Sequence, residues 1–326
     1  MNIWIEKIHL DLKVNWKLSR NQTTFKENFI IHLESSEGHF RSEIAPNIRY
    51  GETLDNIKEE FDSWPYKNHL QEILTQSDLS KSLSSIKLHS LRFGLESVFL
   101  SYFASRLNLT LTDYLHLPPV ASVATSFSMP IMPINEIADY LRPLSRFDAL
   151  KIKVDAASGK EMLLEIKKHT NAKLRVDANE AWSDLDDFLK FENSLKGMNI
   201  ELIEQPFPSK MIEEYKELKK RTEYKLLADE SIEDVGDFNE LATQFHAVNI
   251  KLMKTGSLLK AKEFLVEAKK HNLEAMMGCM IETTIGISYG MLFSGMVEYV
   301  DLDGFLLIND EPFRLVKEAE GKLNIV

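Results

Sequence analysis

The chain has 326 residues, 44% hydrophobic and 27% charged, with 50 acidic against 39 basic side chains and a formal charge of −11. That length buries a large core and suits a barrel with additions or one large domain with a smaller one. The excess of acid opposes a phosphate backbone or an anionic membrane surface, no stretch approaches the ~20 apolar residues of a membrane span, and the single cysteine, Cys279, rules out an internal disulfide. Nucleic-acid and membrane partners are not expected, and a cytoplasmic location follows by default.

The N-terminal MNIWIEKIHLDLKVNWK alternates apolar and polar residues and reads as a strand rather than a signal peptide. NFIIHLES (28–35) alternates in the same way. Helical spacing follows around TLDNIKEEFDSW (53–64) and SIKLHSLRFGLESVFLSYFASRL (85–107), up to the break at Pro118–Pro119. Beyond it come eight short strands: SVATSFSM (122–129), ALKIKV (149–154), KLRVDA (173–178), IELIEQ (200–205), KLLADE (225–230), AVNIKL (247–252), LEAMMGC (273–279) and EYVDLD (298–303). Stretches of helical period such as SLLKAKEFLVEAKKHN (257–272) separate them. Eight strands with seven helical links close most naturally into a TIM-type barrel, whose chemistry sits at the C-terminal strand ends. From Gly304 onward the chain reads as a return segment too short for a further domain.

Charged residues stand in or at the end of nearly every barrel strand, where burial is costly unless each is paired, hydrogen-bonded or bound to metal. They are Lys151 and Lys153, Asp177, Glu204, Asp229 with Glu230, Lys251, Glu282 just past strand seven, and Asp301 with Asp303. From Lys153 through Asp177, Glu204 and Asp229 to Lys251 the steps are 24, 27, 25 and 22 residues, about one strand-helix unit each. Strand residues two apart point the same way, so Lys151 with Lys153, and Asp301 with Asp303, each form an inward fork. Asp177, Glu204 and Asp229 make an all-oxygen set suited to Mg²⁺. Lys153 and Lys251 approach that set from opposite sides. A proton next to a carboxylate leaves only if the resulting enediolate is stabilised by a cation, and a lysine acts as base only if its pKa falls toward neutrality, which the neighbouring Lys151 ammonium promotes in Lys153. A lysine on each face allows removal from one side and return from the other.

LKIKV (150–154), RVDANEAW (175–182), IEQPF (203–207), ADES (228–231), NIKLMKTG (249–256), GCMIETTIG (278–286) and DLDG (301–304) resemble, in order, the motif series of the muconate-lactonizing subgroup of the enolase superfamily. RSEIAP (41–46) and RYGET (49–53) resemble the capping domain of that family. The resemblance implies an α/β fold, a modified TIM barrel (β/α)7β over 119–304, with an α+β capping domain over 1–118 completed by 305–326. Within the subgroup the Asp-x-Asp of strand eight resembles dipeptide epimerases of the L-Ala-D/L-Glu type, where the pair holds the α-ammonium of a dipeptide. On that resemblance Asp177, Glu204 and Asp229 are Mg²⁺ ligands and Lys153 and Lys251 the acid/base pair. Asp301, Asp303, Lys151, Ser128, Met280, Ile281 and Glu282 then line or support the substrate site. Arg20, in LSRNQTT, is the candidate for binding an acidic side chain, with Asn21 as the alternative. The chain departs from the family in carrying Glu180 where glutamine is common, and in ending about 23 residues after Asp303.

Each of these residues has a plainer reading. The carboxylates are otherwise strand-end caps, Asp301 and Asp303 a turn before Gly304, Glu282 the first-turn acid of a helix starting near Thr284, Lys254 a surface charge in the loop after strand six, and Cys279 a small packed residue. No histidine pair has metal-ligand spacing, and no phosphate-loop or dinucleotide fingerprint occurs. The competing activities are an o-succinylbenzoate synthase and a muconate-type cycloisomerase, which share the enolate step but have no ammonium to hold; a barrel that binds without chemistry is a different class. A homo-oligomer stays open, symmetric assembly being the common case.

Overall fold

The computed structural model describes residues 1–19, 22–119 and 122–326. An antiparallel sheet in the order β1-β2-β3 opens the chain, formed by β1 (Asn2–Lys17), β2 (Gln22–Ser35) and β3 (Gly38–Ile44). Its apolar alternation turns Ile31, Leu33 and Ile44 inward, where they are wholly buried. Helices α1 (Leu54–Ser63), α2 (Gln76–Leu83), α3 (His89–Arg106) and α4 (Leu111–Tyr114) follow. Thr53 and Thr75 start α1 and α2 with reciprocal capping boxes, satisfying backbone N–H groups that the first turn leaves without partners. The α3 helix is apolar nearly all round because it is buried between the cap sheet and the barrel.

The barrel strands are β5 (Phe127–Met129), β6 (Ala149–Lys153), β7 (Lys173–Asp177), β8 (Ile200–Glu204), β9 (Lys225–Ala228), β10 (Ala247–Lys251), β11 (Glu274–Gly278) and β12 (Tyr299–Asp301), parallel and adjacent in chain order. Between them lie α5 (Ile137–Leu141), α6 (Gly159–Ile166), α7 (Leu185–Ser194), α8 (Ile212–Arg221), α9 (Phe238–Gln244), α10 (Leu252–Thr255) with α11 (Leu258–Lys270), and α12 (Thr284–Met291). This is the expected modified (β/α)7β barrel with a capping sheet. Leu202, Leu227, Ala247, Met276 and Tyr299 fill the barrel interior as a separate apolar cluster.

The seam between β12 and β5 is closed differently from the other strand pairs. Among the described residues one backbone bond crosses it, from Ser126 N to Val300 O at 3.1 Å. Side chains do the rest: Leu302 N donates to Thr125 Oγ1, Ser126 Oγ to Asp301 Oδ1 at 2.7 Å, and Ser128 N and Oγ to the Asp303 carboxylate at 2.5 and 3.3 Å. The segment expected as one strand over 122–129 is accordingly two. Residues Ser122–Ala124 form β4, which pairs antiparallel with β14 (Lys322–Ile325) of a C-terminal hairpin with β13 (Val316–Ala319), and only Phe127–Met129 joins the barrel. Thr125 and Ser126 turn the chain between the two sheets by bonding toward β12.

Carboxylates on the N-terminal elements dock the barrel helices. Glu43 of β3 accepts from Thr283 N, Thr283 Oγ1 and Gly286 N at the start of α12, and from Asn28 Nδ2. Glu96 of α3 accepts from Ser257 Oγ at 2.7 Å and Leu258 N at 2.5 Å at the start of α11. One turn earlier on α3, Arg92 donates to the carbonyls of Thr255 and Gly256, where left-handed Gly256 (φ 66°) ends α10. Anion meets helix N-terminus and cation meets helix C-terminus, the favourable sense for both. Glu43→Ala and Glu96→Ala each strand two or more buried donors, so each is expected to cost about 2–4 kcal/mol in urea unfolding, whereas changes within ~0.5 kcal/mol would show that neither clamp holds the elements together.

Candidate active site

The strand-end charges converge as expected. Lys153, Asp177 and Glu204 are the last residues of three neighbouring strands and lie in register with one another, Asp229 follows β9 directly, and Lys251 and Asp301 end β10 and β12. All are buried. With the cap, this strand end encloses a cavity of about 200 Å³, lined from the barrel by Ser128, Lys151, Lys153, Asp229, Lys251, Met280, Ile281, Asp301 and Asp303, among others, while Asp177 and Glu204 lie behind Lys151 and do not line it. β6 and β10 are four strands apart in a ring of eight, so Lys153 and Lys251 face each other across this cavity.

Four ammonium groups hold the carboxylates. Lys151, 1% exposed, reaches Glu204 Oε2 at 2.8 Å, Asp301 Oδ2 at 2.9 Å and Asp177 Oδ2 at 3.2 Å. Lys153 lies 2.5 Å from Asp177 Oδ2, Lys251 2.8 Å from Asp229 Oδ2, and Lys254 2.6 Å from Asp229 Oδ1. Burial opposes charge on the carboxylates, and the lysines beside each decide how far it prevails, while at Lys254 burial outweighs Asp229 and lowers the ammonium. Asp177 lies below the ordinary carboxylate range because Lys153 and Lys151 outweigh burial, and Asp229 lies well below it through Lys251 and Lys254. Glu204 is pushed up to about 7 by burial and by Asp177 beside it. Burial also works against charge on both members of the strand-eight fork, but Lys151 holds Asp301 down to about 2, whereas Asp303, facing Asp301, rises to about 7.

Asp177, Glu204 and Asp229 fit a hard divalent cation in donor type, and they stand at the ends of three neighbouring strands. Glu204 Oε2 meets the Lys151 ammonium at 2.8 Å, and Asn249 Nδ2 fixes the other oxygen at 2.9 Å. As the side chains stand, no three His, Cys, Asp or Glu groups among the described residues close on a common point, because the lysine ammonium groups take the oxygens. Gly278 belongs to this arrangement: a Cβ there would meet Asn249 Oδ1 at 2.4 Å.

Other expected residues fall outside this set. Arg20 and Asn21 lie outside the described residues. Glu282 does not line the cavity; it is 3% exposed, precedes the α12 cap Thr283, and accepts from Met280 N at 2.8 Å, which fixes the segment carrying Met280 and Ile281. Lys254 is not a surface charge in a loop. It sits in α10, 1% exposed, because the chain turns into a helix directly after Lys251 and carries Lys254 back under Asp229. Cys279 lines the cavity half-buried, its thiol pushed up by burial and by Glu282. Glu180, the departure from the common glutamine, pairs with Arg49 of the cap at 2.6 Å. Sequence reasoning passed over Asn249 and Ser126, although each stands two residues before an identified inward residue and so shares its face. Lys26 of β2, and Asn47, Arg49 and Tyr50 from the segment after β3, also line the cavity.

A modified barrel under an antiparallel cap, with its carboxylates and lysines gathered at the C-terminal strand ends, is the architecture of the enolase superfamily. Residues 135–315 match the enolase C-terminal domain-like family, and the chain belongs to it. Across nearly its whole length the chain is similar to an L-Ala-D/L-amino acid epimerase of Flavobacterium johnsoniae, 28% identical over 95% of this chain and 93% of that one. Its fold is similar to a substrate-liganded L-Ala-D/L-Glu epimerase of Bacillus subtilis, with a TM-score of 0.91 at 23% identity, covering 100% of this chain and 96% of that one. It is likewise similar to a dipeptide epimerase of Enterococcus faecalis complexed with Mg and L-Leu-L-Tyr, at TM-score 0.87 and 25% identity over 100% and 96% of the two chains. No helix among the described residues is long and apolar enough to cross a membrane.

Burial beside Glu43 raises the Glu282 carboxyl to about 8, with Lys251 and Lys26 facing it as countering cations. Below its ordinary value of 4.5 the group is protonated in folded and unfolded chains alike. Between 4.5 and 8 the unfolded chain ionises while the folded one keeps its proton, so stability falls as pH rises, by at most about 1.4 kcal/mol per pH unit. Glu282→Gln removes this contribution: urea unfolding across that range is expected to show the variant gaining on the wild type with rising pH, and a constant difference would contradict the raised value.

Proposed function

We propose that this chain is a Mg²⁺-dependent dipeptide epimerase that inverts the α-carbon of the C-terminal residue of a dipeptide, such as L-Ala-L-Glu, by 1,1-proton transfer between two lysines. The observation that carries this reading is one cavity in which Lys153 and Lys251 face each other and the Asp301/Asp303 pair stands at the adjoining strand end. The epimerase named for the Flavobacterium relative and the Mg and dipeptide held by the Enterococcus protein support it.

Asp177, Glu204 and Asp229 would hold the ion, which when bound offsets the negative charge that develops as a proton leaves the carbon beside a carboxylate. Lys153 takes the proton from one face of that carbon and Lys251 gives one back on the other, or the reverse for the opposite epimer. Asp229 holds the Lys251 ammonium above its ordinary value against the burial that opposes it, the reverse of the fall toward neutrality expected of a base, so Lys251 as it stands suits delivery of a proton. Lys151, surrounded by carboxylates, stays charged and supplies positive charge two residues from Lys153. Asp301 and Asp303 bind the dipeptide ammonium, Ser128 sets the orientation of Asp303, and Met280 and Ile281 wall the pocket. The o-succinylbenzoate synthase and muconate-type cycloisomerase readings fit less well because their substrates offer no cation to a buried acidic pair.

In D₂O with Mg²⁺ and a panel of L,L-dipeptides, deuterium is expected at the α-position of the C-terminal residue, and chelation of the metal is expected to stop the exchange until Mg²⁺ is restored. Turnover of a succinylbenzoate precursor without dipeptide exchange would overturn the assignment. Lys153→Ala and Lys251→Ala are each expected to lower epimerisation by at least ~10²-fold, while one of them retains exchange from a single epimer; full activity in either would sink the two-lysine scheme.

A further inference from the structure

Lys254 is the one of the four central lysines that does not line the cavity. Its ammonium donates to Asp229 Oδ1 at 2.6 Å, to the backbone carbonyl of Asp229 at 2.6 Å and to the backbone carbonyl of Asn249 at 3.2 Å. Those three bonds use all three of its protons, so it has none to exchange with a substrate and no route to one. It touches Asp229 at two points of the same residue, carboxylate and main chain, which fixes the side-chain torsion between them. The other carboxylate oxygen, Oδ2, is left to Lys251 and the cavity. The Asn249 carbonyl belongs to the strand whose side chain holds Glu204. A single ammonium therefore ties together the mountings of two of the three carboxylates. Lys254 is itself held rigidly: α10 ends at Gly256, whose carbonyl and that of Thr255 receive Arg92 from the cap.

We propose that Lys254 is a positioning residue for the metal site, whose hydrogen bonds set the orientation of Asp229 and which takes no part in proton transfer. This rests on the metal reading of Asp177, Glu204 and Asp229. Removing a group that orients a ligand commonly weakens metal affinity about 10–100-fold. A purely structural lysine would change unfolding without moving the metal isotherm of the folded protein.

The test is calorimetric titration of Mg²⁺ into the full chain, wild type against Lys254→Met and Lys254→Gln, with melting curves to establish folding. Lys254→Gln keeps two donors on a side chain one bond shorter and carries the comparison where the methionine variant does not fold. Expected is binding about 10–100-fold weaker in the folded variants, with the dipeptide KM at saturating Mg²⁺ changed far less. An unaltered isotherm in a folded variant, beside normal binding by the wild type, would overturn the role of Lys254 alone. Absence of Mg²⁺ binding in the wild type would overturn the metal reading and this inference with it.

Discussion

Everything at the mouth of the barrel depends on burying lysine ammonium groups and carboxylates together. Neither set is tolerable there alone: an unpaired buried charge costs several kcal/mol. Lys151 at the centre, touching Asp177, Glu204 and Asp301, lets three strands end in acid within one small volume. The uneven protonation tendencies follow from the same crowding, with Asp177, Asp229 and Asp301 held low by the lysines they touch and Glu204 and Asp303 left to rise. A site with this division carries both hard anionic oxygens and groups that accept a proton readily.

The cap makes the arrangement persistent. Glu43, Glu96 and Arg92 meet helix ends of the barrel rather than loops, so the cap is fastened to α10, α11 and α12, the helices that follow β10 and β11. Those two strands deliver Lys251 and the Met280–Ile281 segment. On the other side of the mouth the fastening is lighter: Arg49 meets Glu180, and Ser19 Oγ donates to the carbonyl of Asn179, both in the turn after β7. Asn179 and Glu180 are consecutive left-handed residues, a conformation that costs energy for residues with a Cβ. Their contacts with the cap and with the Gln205 carbonyl help to keep them there.

Much of this was legible in the order of residues because barrel strands are short apolar runs, and a charge that interrupts one stands out. LKIKV and AVNIKL announce Lys153 and Lys251 in that way, and the spacing from one strand to the next places them at a common end. The first strand was misread as continuous because SVATSFSM has one uniform β character, while its division depends on a hairpin two hundred residues later and on hydroxyls that bond across the seam. Lys254 was misjudged for a related reason: a strand that passes straight into a helix carries no turn residue to mark the change. The clamps Glu43 and Glu96 join residues 240 and 162 positions apart, a separation at which local pattern carries no signal.

The side-chain seam between β5 and β12 bears on how such a barrel diversifies. Elsewhere in the ring, main-chain ladders hold neighbouring strands, so a side chain at a strand end is exchangeable without loosening the wall. At the seam, Asp301 and Asp303 are also the mortar, bonded to Ser126 and Ser128. Drift toward a new substrate is therefore constrained at this strand, where two positions must change in concert with two others. It is freer in the cap segments around Trp16, Lys26 and Asn47, which reach the same cavity without holding the ring closed. A substitution at Asp301 or Asp303 thus disturbs the wall of the barrel as well as the cavity, whereas one at Lys26 or Asn47 disturbs the cavity without opening the ring.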